Sequence, residues 1–513
     1  MNRVYRFFFH NGLQWRVETF LLCAGVFSFI LPVLYQTRLF SLRLDSDWDT
    51  VLPIYGYIAD FIRTQHVLPL VFPYAGLGYP ILADPLSAML NPFFMIPLVI
   101  FGLDKGLMFV FIILPILAGL SMQTFLKKIA VFGWIRLWAS LLYAISGALT
   151  ARFSAGHTLF FLSYPIVPIL AAGAIDRSPS IRWVVISSGV LALMFYSGDV
   201  YGVWFGLLWI FAVRAFWRQS FVQVVIVVGF FVVFSFPKLF PTVRDTWPNM
   251  QRLFTPVPGE GSVHAALLPF FYMIPLRETF YDRPFFQRIL GFHFNWYEYY
   301  AFISPLSFVF LLFIRKIWNQ QVVRLLVFIL IGCSLYLAMR YAYSPFYWLY
   351  RWLPAFEIMR VPQRVALYAT APLIALLALG AKGAWNEGKK TLILCLCVGS
   401  LLWTYEESRQ TFLVAFEKPR ILERKLVEEL RRQDSSEFTV ITHVCCLQRW
   451  LVESRIQILN FYVPWRGMGL PPESEMIFLL HPKYVIEKLD IDISAQAYYP
   501  LFDTPIARVW KAL

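Results

Sequence analysis

Long apolar runs, separated by short polar segments, fill most of the chain. A helix needs about 20 mostly apolar residues to cross the ~30 Å hydrocarbon core of a membrane. The pattern therefore predicts about eleven transmembrane helices, each bounded to within a few residues. They are 18–36, 106–126, 137–151, 158–175, 182–196, 200–213, 221–236, 299–314, 323–339, 363–382 and 391–405.

The apolar stretch 86–102 is ambiguous because Asn91-Pro92 and Pro97 interrupt it. If it does not cross and the N-terminus is cytoplasmic, the basic residues of the short loops fall inside, as the positive-inside rule requires. If it does cross, they all fall outside. We therefore expect an odd number of crossings, with the C-terminus outside. The residues concerned are Lys127, Lys128, Arg136, Arg177, Arg182, Arg214, Arg218, Arg315, Lys316, Arg324, Lys382, Lys389 and Lys390.

This topology leaves long outward-facing loops at 37–105, 237–298 and 340–362, followed by a more polar tail. The tail has helical periodicity over 418–432 and strand-like segments at 438–442, 483–487 and 506–510. We expect an α-helical polytopic membrane domain over 1–405 and a small extracytoplasmic α+β domain over 406–513.

Composition agrees with a membrane protein, since 59% of the residues are hydrophobic and 15% are charged. A soluble domain is nearer ~45–50% apolar and ~25% charged. The net charge is +14. The basic residues lie in short loops between apolar runs, where they are interpreted as setting the orientation of the helices in the membrane. Without a basic run or an RNA-binding motif, no nucleic-acid partner is expected. The six cysteines show no metal-binding spacing.

The first outer loop opens with an acidic stretch containing Asp45, Asp47 and Asp49. One interpretation is a solvated cap on a following helix, because Asp is favourable near a helix start. The other is chemical: a carboxylate can act as a general base, and hard cations such as Mg²⁺ or Mn²⁺ bind carboxylate oxygens. Asp45 and Asp47 would be the ligands if a cation is bound, although nothing in the pattern requires one.

Three further segments carry a resemblance when taken in order. The first is the Leu-Pro…Pro-Tyr…Gly-Tyr-Pro…Asn-Pro pattern over 68–92, the second is Gly156-His157 opening an apolar run, and the third is the stretch 353–364 with its Arg-Val-Pro-Gln-Arg sequence. Together they resemble the bacterial YfhO-like membrane proteins, a branch of the GT-C superfamily of polytopic glycosyltransferases. The resemblance covers roughly 20–405.

The resemblance implies a membrane glycosyltransferase of the bacterial cytoplasmic membrane. It implies transfer of a sugar, with inversion, from a polyprenyl-phosphate-sugar donor to a lipid or glycan acceptor of the cell envelope. Asp47, or else Asp45, would be the catalytic base, and Arg360, Arg364 and His157 would bind the donor phosphate. The substrate-binding loop would comprise Asp49, Tyr55, His66, Tyr74, Tyr79 and Asp84.

Each residue also has a plainer interpretation. Arg360 and Arg364 could snorkel to lipid headgroups, His157 could donate to a backbone carbonyl, and His66 could cap its loop. Asp199 fits turn chemistry. The aromatic residues of 237–298 could anchor the loop at the membrane interface, with part of it covering the cavity.

Two other functions fit the same cavity. A transporter or flippase of lipid-linked glycans would need the phosphate-binding arginines but not the acidic stretch. A noncatalytic envelope assembly factor would use the tail to bind partners. No Walker lysine motif is present, so ATP-driven pumping is not expected.

Overall fold

The structure is a computed structural model. It describes residues 13–37, 41–42, 47–74, 78–175, 181–218, 221–246, 264–275, 298, 300–339, 341, 343–352, 361–414, 416–417, 421–436, 438–442, 448–458, 484–487, 498–503 and 507–512.

The described part of the chain is mostly helical. Its α-helices up to residue 413 are α1 (Leu13–Thr37), α2 (Trp48–Gln65), α3 (Pro92–Phe101), α4 (Leu103–Lys128), α5 (Gly133–Ala144), α6 (Gly147–Ser154), α7 (Thr158–Ser163), α8 (Val167–Ile175), α9 (Ile181–Tyr196), α10 (Val200–Phe216), α11 (Val222–Pro241), α12 (Leu268–Met273), α13 (Gln321–Leu337), α14 (Pro345–Trp352), α15 (Val365–Asn386) and α16 (Lys390–Leu413). Short 3₁₀ segments cover Tyr164–Ile166, Ala265–Leu267, Pro305–Ile317 and Pro362–Arg364.

Five described helical segments are long and apolar enough to cross a membrane. They are Gln14–Tyr35, Leu103–Lys128, Thr158–Ile175, Val222–Asp245 and Pro362–Asn386. α15 is the central one, because nearly all of its side chains are buried. α11 lies at the periphery and exposes apolar side chains such as Val225 and Val233, which suits a helix whose outer face meets lipid.

Two predicted spans differ from the structure. The span 137–151 is broken into α5 and α6 at Ser146, whose backbone is extended. In the span 299–314, residues 300–304 have no regular secondary structure, and the 3₁₀ segment Pro305–Ile317 follows them. In the ambiguous stretch 86–102, the helix is only the 10 residues of α3, about 15 Å long and therefore half the thickness of the hydrocarbon core.

The tail forms a five-stranded mixed sheet with the strand order β6-β5-β7-β9-β8. β5 (Thr439–Thr442) is parallel to β6 (Gln457–Ile458) and β7 (Tyr484–Glu487), while β9 (Arg508–Ala512) is antiparallel to β7 and β8 (Tyr498–Asp503). The helices α17 (Ile421–Gln433) and α18 (Gln448–Glu453) accompany it. β5, β7 and β9 overlap the three strands expected from the sequence.

The sheet and the first loop lie on the same side of the helical domain. β1 (Ser41–Leu42), just after α1, pairs antiparallel with β4 (Phe416–Glu417), just after α16. The loop also contains the short ladder of β2 (Val71–Phe72) and β3 (Tyr79–Pro80). α18 packs against α2, and the Ile458 amide donates to the Tyr74 carbonyl at 2.9 Å.

Candidate active site

Asp47 lies immediately before α2, and its neighbour Trp48 fixes its position. The Trp48 ring is completely buried and contacts Phe111, Phe153 and Phe161. Its indole nitrogen donates to the Phe153 carbonyl at 2.9 Å. A large buried aromatic with a satisfied polar atom is a strong local anchor, so the start of α2 is held firmly against α6.

The turn between α6 and α7 brings His157 to Asp47. Gly156 has φ +76°, and a Cβ there would lie 2.6 Å from the Trp48 backbone nitrogen. The Asp47 amide donates to the Ala155 carbonyl at 3.2 Å. Only glycine allows both the left-handed backbone and this close approach. The Gly156-His157 motif therefore lies where the turn packs against the acidic loop.

The Asp47 carboxylate faces His157 instead of capping its own helix. Asp47 occupies the N-cap position of α2 but makes no side-chain capping bond. Its Oδ2 lies 3.1 Å from His157 Nε2, and its side chain is 49% exposed whereas that of His157 is 7% exposed. The plain capping interpretation therefore does not account for Asp47.

The second imidazole nitrogen determines the tautomer of His157. Nδ1 lies 3.3 Å from an Arg152 guanidinium nitrogen. Because arginine only donates, Nδ1 must accept, and the imidazole proton is then on Nε2, directed at Asp47. His157 thus donates a hydrogen bond from Nε2 to a solvent-accessible carboxylate.

Behind His157 lies a buried ion network centred on Glu298. Arg152 and Glu298 form an ion pair and are 2% and 4% exposed. Arg364 donates to Glu298 Oε1 from its terminal nitrogen at 2.8 Å and from Nε at 3.1 Å. The Arg364 guanidinium also lies over the Phe160 ring at 4.7 Å and the Tyr201 ring at 5.1 Å.

Glu298 is the shared charged partner of the two guanidinium groups in this network. Burial raises the pKa of Glu298, but the Arg152 and Arg364 guanidinium groups outweigh it and hold the pKa of this carboxyl well below its usual range. Glu298 is therefore ionised, and it pairs with the buried guanidinium of Arg152 and the partly buried guanidinium of Arg364.

Asp199 belongs to a second buried polar group, next to Arg364. It caps α10 by accepting from the Gly202 amide at 2.7 Å, which confirms the role expected from turn chemistry. Tyr368 of α15 donates to both of its carboxylate oxygens at 2.6 Å. Complete burial raises the pKa of Asp199 to about 6, although these bonds and Arg364 lower it.

Two residues assigned to the substrate-binding loop lie in the packed part of that loop. The Tyr55 hydroxyl accepts from the Ala88 amide at 2.6 Å, and Asp84 accepts from the Leu86 amide at 2.8 Å. The buried ammonium of Lys238 donates to the carbonyls of Pro85, Ser87 and Phe195. Tyr55 and Asp84 thus bind backbone amides of the loop and stabilise its conformation.

The other assigned residues are spread along α2 and beyond. Asp49 lies in the first turn of α2. His66 is exposed and ends α2 with φ 57°, as its capping interpretation expected. Tyr74 is half-buried against Tyr57 and Phe72. Asp45, Arg360, the side chain of Tyr79 and most of the loop 237–298 lie outside the described residues.

The described residues contain no group of three or more His, Cys, Asp or Glu able to hold a metal ion. The two cation ligands suggested by the sequence are Asp45 and Asp47. Because Asp45 lies outside the described residues, this pair stays a prediction.

The sequence analysis did not assign Arg152 and Glu298 a role together. Arg152 is the only basic residue that it expected in the short outer loops, and it is buried. Such a charge needs a partner, but 146 positions separate it from Glu298, so no local pattern could identify the pair.

The fold is similar to archaeal oligosaccharyltransferase AglB from Archaeoglobus fulgidus in complex with an inhibitory peptide and a dolichol-phosphate, at 12% identity and a TM-score of 0.51 over 92% of this chain and 69% of that chain. With the Archaeoglobus fulgidus oligosaccharyltransferase tethered to an acceptor peptide, the TM-score is 0.53 at 12% identity, over 94% and 70% of the two chains.

A third neighbour is arabinofuranosyltransferase AftD from Mycobacteria, at 10% identity and a TM-score of 0.52 over 96% of this chain and 40% of that chain. These neighbours are glycosyltransferases of the GT-C fold. Neither a family model nor a curated protein sequence matches the chain. The chain is thus a multi-pass membrane protein with a GT-C-like fold.

Proposed function

We propose that the chain is a membrane glycosyltransferase that transfers a sugar from a polyprenyl-phosphate-sugar donor to an extracytoplasmic acceptor of the cell envelope. We also propose that it belongs to the YfhO-like branch and works in a bacterial cytoplasmic membrane. The fold likeness supports a transferase of this general kind. The observation that carries the proposal is the exposed Asp47 carboxylate held against the buried His157 and its arginine network.

Asp47 is suited to act as the base. Its carboxylate accepts a hydrogen bond from His157, which orients it, while half of its side chain remains accessible to an acceptor. The acceptor hydroxyl would transfer its proton to Asp47 as its oxygen attacks the anomeric carbon, and the bond from that carbon to the donor phosphate would break. General-base catalysis of this type contributes about 10²–10⁴-fold in rate.

Arg364 is suited to hold the leaving phosphate. Its bonds to Glu298 use Nε and one terminal nitrogen, and the other terminal nitrogen carries two more donors. Its side chain is 20% exposed, so a phosphate could reach it. Glu298 keeps the fork oriented, and bidentate arginine contacts recognise phosphate well.

Inversion follows from the roles of the two carboxylates. Retention would need a second carboxylate as nucleophile. Glu298 is buried and held by two guanidinium groups, which makes it a poor nucleophile. A single displacement, with Asp47 as base, is the simpler chemistry.

The test uses the full chain in lipid nanodiscs with a panel of polyprenyl-phosphate hexoses. Asp47→Asn keeps the shape but removes the base, so we expect turnover to fall at least 100-fold while donor binding is retained. Asp104→Asn is the matched control, since Asp104 is an exposed Asp in the first turn of α4. Normal turnover in Asp47→Asn would overturn the proposal, as would donor lipid that is moved across the bilayer but never deglycosylated.

A further inference from the structure

A polar cleft lies between the first loop and the C-terminal sheet, away from the ion network. Its first part has a volume of about 310 Å³ and is lined by one face of α2, by the junction of α3 and α4, by Tyr74, and by the end of α18 with Arg455. Its second part, of about 650 Å³, lies between the β2–β3 ladder and the edge of the sheet. Both parts share Tyr74 and Arg455, so they adjoin each other and are treated together as the cleft. Ligand sites typically measure about 300–1,000 Å³.

The shape of this cleft is fixed by the contact between the two domains. α18 packs on α2, and the Ile458 amide donates to the Tyr74 carbonyl. Arg431 donates to the carbonyls of Ser454 and Arg455 at 3.0 and 3.1 Å. Arg455 itself has φ 57°, an unfavourable conformation for a residue with a side chain. Strained positions of this kind are found preferentially at ligand sites.

The lining is mixed in a way that indicates the ligand. Two tyrosine rings, Tyr57 and Tyr74, are in edge-to-face contact at 5.7 Å. The charges balance, because two carboxylates and two guanidinium groups line the first part: Asp60, Glu453, Arg63 and Arg455. A polyanion would meet the carboxylates, and an apolar chain would desolvate four charged groups. A neutral molecule rich in hydroxyl groups can use donors, acceptors and aromatic faces together.

α2 connects this cleft to the candidate base. Gly56 lines the cleft nine residues after Asp47, which is about 14 Å along a helix. Asp49 lies one helical turn before Pro53 on the face that lines the cleft. We propose that the cleft binds the neutral saccharide part of the acceptor, several sugar units long, so that one end reaches Asp47. This inference rests on the proposed transferase activity.

The experiment measures binding of four neutral tetrasaccharides (maltotetraose, cellotetraose, chitotetraose and mannotetraose) to the full chain in nanodiscs, by saturation-transfer NMR. Tetragalacturonate, of similar size but anionic, is the comparison probe. We expect at least one neutral probe to bind and tetragalacturonate to bind more weakly. Arg455→Gly removes the side chain and suits the backbone conformation, and it should weaken binding at least tenfold, as should Tyr74→Ala.

The matched control is Arg218→Gly, an exposed arginine with φ 51° that lies after α10 and outside the cleft. It should bind the probe like the unaltered chain. Asp47→Asn should also bind the probe normally while losing turnover. If the unaltered chain shows no turnover but binds a neutral tetrasaccharide in an Arg455-dependent manner, the transferase proposal fails and the saccharide-binding role of the cleft is supported. Failure of all four neutral probes to bind, binding unchanged in Arg455→Gly, or preference for tetragalacturonate would overturn the cleft proposal.

Discussion

Glu298 is the residue on which the charge balance of the candidate site depends. It is the carboxylate that holds both Arg152 and Arg364, and through Arg152 it influences the tautomer of His157. A buried charge that loses its partner is strongly destabilising, by about 3–5 kcal/mol. The same replacement at an exposed pair costs about 0–1 kcal/mol. Glu298 should therefore behave very differently from a surface glutamate.

We predict that Glu298→Gln lowers the free energy of unfolding by about 3–5 kcal/mol, because the buried Arg152 guanidinium and the partly buried Arg364 guanidinium lose their counterion. Thermal unfolding of the purified chain in detergent measures this. Glu428→Gln is the control, since Glu428 pairs with Arg424 on an exposed face of α17. Equal melting temperatures for the two variants would contradict the role of Glu298.

The lowered pKa of Glu298 also sets the direction of a pH effect. A carboxyl whose pKa is depressed in the folded state stabilises the fold at every pH above its unfolded-state pKa, here 4.5. That contribution is lost as the pH falls below this value. The stability difference between the unaltered chain and Glu298→Gln should thus be constant near neutrality and shrink only below about pH 4.5.

Some residues of the candidate site have a local signal in the sequence. Asp47 follows an apolar run within an acidic stretch, and Gly156-His157 opens another run, so both were visible in the chain. The structure adds that Asp47 and His157 touch. Arg364 lies within an Arg-x-x-x-Arg motif, but its partner Glu298 is 66 positions away. Partners of that separation are decided by tertiary packing, which no local pattern contains.

At the level of elements, the site depends on the contact between the start of α2 and the turn before α7. Gly156→Ala should be severe, because the added Cβ would lie 2.6 Å from the Trp48 nitrogen and would push α2, with Asp47, away from His157. We expect turnover to fall at least tenfold, and more than stability alone explains. The measurement is turnover at a temperature at which the variant is still folded.

Gly388→Ala separates strain from contact. Gly388 has φ +81° but nothing within 4 Å of an added Cβ. The free energy of unfolding of Gly388→Ala should fall only by the cost of placing alanine in a left-handed backbone, about 1–2 kcal/mol. Its turnover should be unchanged. If Gly156→Ala and Gly388→Ala are equally active, the contact between α2 and the turn does not position the base.

Elements that follow their own hydrophobic pattern were predictable, and those imposed by a neighbour were not. α1, α4 and α16 each cover a predicted span. The break between α5 and α6 is imposed from outside: the Gly147 amide donates to the Phe302 carbonyl at 2.9 Å, and a Cβ at Gly147 would lie 2.3 Å from the Tyr300 ring. The packing of the segment 300–302 therefore interrupts a run that the sequence reads as continuous.

At the scale of the whole molecule, several contacts place the acidic loop, the cleft and the C-terminal sheet on one side of the helices. The β1–β4 pair joins the segments that follow α1 and α16, and the Ile458–Tyr74 bond joins the sheet to the first loop. Positive-inside counting assigns that side to the exterior. The proposed chemistry needs this assignment, because the donor and acceptor would meet only there.

Accessibility to a membrane-impermeant thiol reagent tests the assignment. In a chain without native cysteines, Thr64→Cys near the end of α2 should be labelled in intact cells, because Thr64 is exposed on the predicted outer side. Lys316→Cys, exposed in the last turn of the 3₁₀ segment Pro305–Ile317, should be labelled only after the cells are opened. The opposite result would place Asp47 in the cytoplasm, out of reach of an extracytoplasmic acceptor, and the transferase proposal would fail with it.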